Sequence, residues 1–144
     1  MTIVSLEHLS KTGKTEVFAF VTMPNHIHFV WSLKALNGKE MLNTSFLKFT
    51  AHSFRKKPEE TKNLAQFYVD AANKKYEFWQ IDSLAVHLFS KKVAFQKLDY
   101  IHNNPLPERW NLCTRPEDYH YSSACFCEKG LKHFKFLKDI LDEF

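Results

Sequence analysis

Glu16 to Leu33, "EVFAFVTMPNHIHFVWSL", limits what this chain can fold into more than any other stretch. Two runs rich in β-branched and aromatic residues flank Pro24-Asn25, a turn signal. The spacing predicts a strand over "EVFAFVTM", a tight reversal, and a second strand over "HIHFVWSL". Asn37-Gly38 closes the hairpin unit. Such a hairpin has two faces to bury, and the rest of the chain must supply the cover.

Most of that cover reads as helical. "MTIVSLEHLSKTGKT" places Ile3, Leu6 and Leu9 at helical spacing and runs out near Gly13. "MLNTSFLKFTAHSFRKKP" predicts a helix that Asn43, Thr44 or Ser45 could cap and Pro58 ends. "EETKNLAQFYVDAANKK" reads as loop with a turn of helix, and a strand is expected around Tyr76 to Ile81. Ser90 can cap a helix through "KKVAFQKLDYIHNN", which Pro105 stops. "PLPERWNLCTRPEDYHYSSACF" is turn-rich, and "LKHFKFLKDILDEF" reads as an amphipathic C-terminal helix. The order makes an α+β domain with a small antiparallel sheet. Its 144 residues suit a single domain spanning 1–144, with no internal repeat or linker.

The three cysteines, Cys113, Cys125 and Cys127, form no C-x-x-C pair, which argues against a disulfide framework and fits a reducing cytoplasm. No apolar run reaches membrane-spanning length, and the first residues lack the apolar core of a signal peptide. A formal net charge of +4 permits a polyanionic partner without requiring one.

Two features carry chemistry. On a strand, residues i and i+2 share a face, so His26 and His28 project together while Ile27, Phe29 and Trp31 fill the other side. Two imidazoles so placed can hold one divalent cation with a third ligand; a pair of ordinary surface histidines is the plainer alternative. The second feature is "KLDYIHNNP". If Lys91 to Asn103 is helical, Tyr100 and Asn104 lie one turn apart on one face. Pro105 biases Asn104 out of the helix, so its amide should project from the helix end. A tyrosine hydroxyl beside a metal can become a nucleophile, because nearby positive charge favours the phenolate. His102, two residues on, points away from Tyr100 and reads as structural.

"MPNHIH", followed some seventy residues later by "YIHNNP", resembles the REP-associated tyrosine transposases, a branch of the single-tyrosine HUH nucleases in which U is a large hydrophobic residue, here Ile27. The resemblance runs from about Val17 to Phe126 and includes "FWQ" at Phe78 to Gln80 and "EDYHYSSA" at Glu117 to Ala124. It implies a ferredoxin-like antiparallel sheet with helices packed on it, and a metal-dependent enzyme that cuts and rejoins single-stranded or hairpin DNA. By the resemblance, His26, His28 and Asn104 ligate Mg2+ or Mn2+, and Tyr100 attacks the scissile phosphate to leave a 5′-phosphotyrosine. It also implies a homodimer. The chain departs from the pattern at its start: family members begin with a strand that lies beside the one bearing the histidines, and here the sequence opens almost at the first helix.

Lys48, Arg55, Lys56 and Lys57 sit on one helix and its end, and a DNA-phosphate surface and a solvated face both fit them. Trp79 could stack a base, although a core position suits it better. Tyr119 and Tyr121 read as packing residues. Two further functions stay open. One is a binding-only derivative that grips hairpin DNA without cutting. The other is a plain α+β RNA-binding domain, which would need exposed aromatics where Val30 and Ser32 stand.

Overall fold

The computed structural model describes residues 2–36, 38–56, 68–71, 74–76, 79 and 85–144. Its elements are α1 (Thr2–Lys11), β1 (Thr15–Thr22), β2 (Ile27–Leu33), α2 (Leu42–Lys56), β3 (Tyr68–Ala71), β4 (Lys74–Tyr76), α3 (Lys91–Asn103) and α4 (Ala124–Lys129). β1 pairs antiparallel with β2, and β3 with β4, giving a mixed α+β chain with two two-stranded sheets among the described residues. The strand expected from Tyr76 to Ile81 overlaps β4 only at Tyr76, and its remainder falls mainly outside the described residues.

The β1–β2 ribbon is covered on both faces. Val17 and Phe20 join Leu6 and Leu9 of α1, Leu42 and Phe46 of α2, and Phe136 and Leu137 in one core, with Ile27, Phe29 and Trp31 packed against it. Phe18, Ala19 and Val21 join Ala94, Leu98 and Ile101 of α3, with Met23 and Ile140, in a second core. Strict alternation would put Phe18 and Ala19 on opposite faces. A register shift between Val17 and Ala19 makes them neighbours on one face, as a β-bulge does. The bulge lets Val17 and Phe20 serve one core while their neighbours serve the other.

Helix starts follow local chemistry where a cap exists. The Ser90 hydroxyl accepts from the Val93 N–H, as expected, and opens α3. None of the three cap candidates opens α2, which already begins at Leu42; the Ser45 hydroxyl instead donates to the Glu40 carboxylate at 2.7 Å.

The C-terminal segment corrects the sequence reading. "LKHFKFLKDILDEF" forms no α-helix; its one helical piece is a 3-10 turn, Ile140–Asp142, capped by Asp139. Phe136 and Leu137 are buried in the first core, and the Lys138 N–H donates to the Val17 carbonyl at 2.9 Å. Backbone groups on the β1 edge and a place among the phenylalanines outweigh the helical periodicity of the isolated segment.

That edge is laced further along by the loop before α4. The Thr22 N–H donates to the Tyr121 carbonyl, and the Ser123 N–H donates to the Phe20 carbonyl. The Phe20 N–H donates to Ser123 Oγ at 2.9 Å. The Tyr119 hydroxyl donates to the Thr22 carbonyl at 2.8 Å. β1 therefore has partners on both edges, and it is buried along nearly its whole length. Among the described residues β2 has β1 on one side only, and it is half-buried from Ile27 to Ser32 with Leu33 exposed.

Candidate functional site

The hairpin and α3 bring the sequence-distant candidates together. His26 ends the turn and His28 enters β2. Their rings stand edge to face with centroids 5.1 Å apart. Tyr100, from the third turn of α3, lies with its ring 5.7 Å from that of His28. Its side is exposed, with 58% of its surface open, so a large substrate can reach the hydroxyl. α3 is held there by Ala94, Leu98 and Ile101, which pack on the face of β1 that also carries Val21, the register partner of His28.

Each imidazole is prepared differently. His26 Nδ1 lies 2.6 Å from Asn25 Oδ1. A carbonyl oxygen only accepts, so Nδ1 carries a proton, and Nε2 is the nitrogen left to face a ligand. Ligating histidines are oriented in this way. Burial, with help from the nearby His26 and Lys97, holds the His28 pKa below the ordinary imidazole value. His28 is thus neutral at pH 7, with a lone pair to offer.

Asn104 is the third candidate ligand, and its geometry corrects one expectation. Its backbone stays helical at φ −55° and ψ −35° despite Pro105, and its N–H donates to the Ile101 carbonyl. The side-chain amide does not project freely: Nδ2 donates to the Tyr100 carbonyl at 3.0 Å. One extra turn of hydrogen bonding outweighs the pre-proline bias. Oδ1 remains as the acceptor atom. No three His, Cys, Asp or Glu side chains among the described residues form a group able to hold a metal. A cation at the histidine pair therefore needs a donor of another kind, which an amide oxygen such as Asn104 Oδ1 is. Two imidazole nitrogens plus an amide oxygen suit Mn2+, and Mg2+ with water completing its shell.

The surroundings add residues that the sequence reading passed over. Trp110 sets its ring 5.9 Å from that of His26. The Arg109 guanidinium lies 5.7 Å from the Trp110 ring centre, and Lys97 Nζ 5.5 Å from the Tyr100 ring centre. The indole N–H of Trp110 is shielded from solvent without an acceptor among the described residues. The site thus has a cation on each flank, which favours an anionic ligand. Lys97 was legible in principle, being one turn before Tyr100. Trp110 comes from a turn-rich stretch with no periodicity to place it.

His102 is buried, on the far side of α3 from Tyr100. Its Nε2 lies 2.8 Å from Ser123 Oγ, and burial lowers its pKa to about 4. It joins the tyrosine helix to the edge of β1. The basic group expected on α2 falls only partly among the described residues. Lys48 is paired with Glu40. Arg55 and Lys56 lie in the last turn of α2, and Lys57 falls outside the described residues. The Trp79 indole N–H donates to Thr50 Oγ1 at 2.9 Å and its ring packs near Phe54, which fits a packing role.

Comparison with known proteins finds no matching family model, no matching curated protein and no matching solved structure.

Proposed function

We propose that the chain is a metal-dependent single-strand DNA nuclease and strand-transfer enzyme of the tyrosine transposase kind, built on a ferredoxin-like sheet. The observation that carries this reading is the meeting of His26, His28 and Tyr100, from a hairpin and a helix some seventy residues apart, within ring distances of 5.1 and 5.7 Å. The resemblance of "MPNHIH" and "YIHNNP" supplies the reaction; the geometry supports it by putting the exposed Tyr100 side chain beside His28, whose ring stands against that of His26.

In this reading, Lys97 and Arg109 attract the DNA phosphates, and His26, His28 and Asn104 hold the divalent ion. The ion, when bound, withdraws charge from a phosphoryl oxygen. The Tyr100 oxygen attacks phosphorus in line, the P–O3′ bond breaks, and the phenolic proton is lost to solvent. The 3′-oxygen leaves as a hydroxyl and the 5′-phosphate stays on Tyr100. The phosphotyrosine keeps the bond energy, so the reverse attack by a 3′-hydroxyl rejoins DNA without a nucleotide cofactor.

A binding-only derivative that recognises hairpin DNA is the second reading. It is favoured by the absence, among the described residues, of any strand beside β2 other than β1. Incubating the protein with a single-stranded hairpin DNA and Mn2+, then running a denaturing gel, separates the two. The nuclease reading expects a protein–DNA adduct that Tyr100→Phe abolishes while DNA binding stays within about twofold, since one phenol adds little to a phosphate-dominated interface. Binding without an adduct supports the second reading. An adduct that survives Tyr100→Phe and is lost with Tyr119→Phe refutes the assignment of the nucleophile.

A further inference from the structure

The proposed reaction leaves Trp110 without a role, yet its indole meets the site. The ring lies 5.9 Å from that of His26, tilted by 53°. The same side chain is half-buried against the second core, the one that seats α3 on β1. The Arg109 guanidinium, 5.7 Å from the indole centre, covers part of the ring and reinforces its orientation.

The loop that delivers the indole is closely bonded. The Leu112 N–H donates to the Pro105 carbonyl at 3.1 Å, and the Trp110 and Asn111 N–H groups donate to the Pro107 carbonyl at 2.8 and 2.9 Å. Asn111 takes φ 43°, in the left-handed region that asparagine enters more readily than most side chains. Backbone of that kind persists only where its surroundings hold it. The loop leaves directly from the end of α3, so one stretch of chain carries Tyr100, Asn104 and Trp110.

His26 is placed where such a support matters. It stands in the turn before β2, not on the strand. Asn25, whose Oδ1 meets its Nδ1, belongs to the same turn and cannot brace the ring against α3. His28, whose ring stands edge to face with it, belongs to the same hairpin. The indole reaches it from the helix side. We infer that Trp110 is a positioning residue: it braces the His26 imidazole against the loop after α3 and so fixes the direction in which Nε2 points. Groups behind a ligating histidine set its ring angle in this way. The inference rests on the proposed reading only for the cation; the bracing is a property of the metal-free chain.

The first measurement therefore uses metal-free protein. NMR relaxation of the His26 ring carbons should report an ordered ring in wild type and in Trp110→Phe, which keeps an aromatic face, and a ring mobile on the nanosecond timescale in Trp110→Ala. The second counts free Mn2+ by electron paramagnetic resonance. Trp110→Ala should weaken Mn2+ binding about tenfold, as loss of a group that orients a ligand does, and Trp110→Phe should recover most of it. In a His26→Ala background, Trp110→Ala should have no further effect, because the indole acts through the imidazole. Trp110→Leu, which fills the space without a flat ring, should behave as Trp110→Ala and serves in its place if the smaller residue unfolds the loop. A His26 ring that stays ordered without the indole overturns the inference. So does an equal loss of Mn2+ affinity in the wild-type and His26→Ala backgrounds, which marks Trp110 as packing alone. If His26→Ala by itself leaves Mn2+ binding unchanged, the ligand assignment fails, and the metal-free relaxation still decides the bracing.

Discussion

Replacing Ser123 with alanine removes a hydroxyl that joins β1 to the tyrosine helix, and its cost can be worked out from the contacts. Ser123 is 1% exposed. Its oxygen accepts from the Phe20 N–H at 2.9 Å, lies 2.8 Å from His102 Nε2 and 3.2 Å from the Phe20 carbonyl. With one hydroxyl proton, all three contacts are satisfied if His102 donates from Nε2 and the hydroxyl donates to Phe20. In Ser123→Ala the Phe20 carbonyl keeps the Ser123 backbone N–H, but the Phe20 N–H and His102 Nε2–H are stranded in a buried place. Each stranded donor costs about 1–3 kcal/mol, and the space left by one oxygen is too small for water, so the loss should be roughly 3–4 kcal/mol. Urea unfolding followed by circular dichroism measures it. A cycle with His102→Phe isolates the imidazole's share: in that background Ser123→Ala should cost about 1–2 kcal/mol less. A loss under about 1 kcal/mol, or strict additivity with His102→Phe, would refute the reasoning that this hydroxyl is the fastener between hairpin and helix.

The same histidine gives a pH signature: its pKa falls from 6.5 unfolded to about 4 folded. The unfolded chain takes up the proton first, so this stability is fully present above pH 6.5 and is lost as pH falls toward 4, by roughly 3 kcal/mol. Unfolding of metal-free protein across that range should slope less in His102→Gln than in wild type, and equal slopes would exclude His102 as the source. Removing both His26 and His28 by alanine should weaken Mn2+ binding at least about tenfold in isothermal titration; unchanged affinity would place any metal elsewhere. DNA affinity should fall steeply with salt, and neutralising Arg55, Lys56 and Lys57 should lower the slope by roughly 0.7–0.9 per lost phosphate contact. An unchanged slope returns those residues to the solvated surface.

What the sequence made legible was whatever depended on near neighbours. The hairpin from Glu16 to Leu33, the Ser90 cap and the end of the helix at Pro105 are each written in a few adjacent residues, and all appear in the structure. The shared face of His26 and His28 followed from strand periodicity. Distant competition was hidden. Phe134 to Leu137 carry a helical pattern, yet the β1 edge offered backbone partners that no local window contains. Asn104 was expected to leave the helix because of its neighbour Pro105, and the Tyr100 carbonyl one turn back kept its side chain. Trp110 reached the site through a turn-rich loop, where no period predicts which way a side chain faces. Ferredoxin-like architecture rested on the resemblance; among the described residues the ribbon under the site has two strands.

The register shift at Phe18 bears on how this hairpin tolerates insertions and deletions. Losing one residue from a strand ordinarily turns everything beyond it inside out. Here Val17 pairs with Trp31 and Ala19 with Val30, its neighbour on β2, so Phe18 is the one residue of β1 without an opposite number. Deleting its codon would leave every other pair on its present side and join the two halves of the strand into a regular ladder. The cost would be one vacated aromatic site beside α3, a packing defect of a few kcal/mol, not a scrambled sheet. The same gene position can therefore gain or lose a residue while the histidines on the opposite strand keep facing Tyr100.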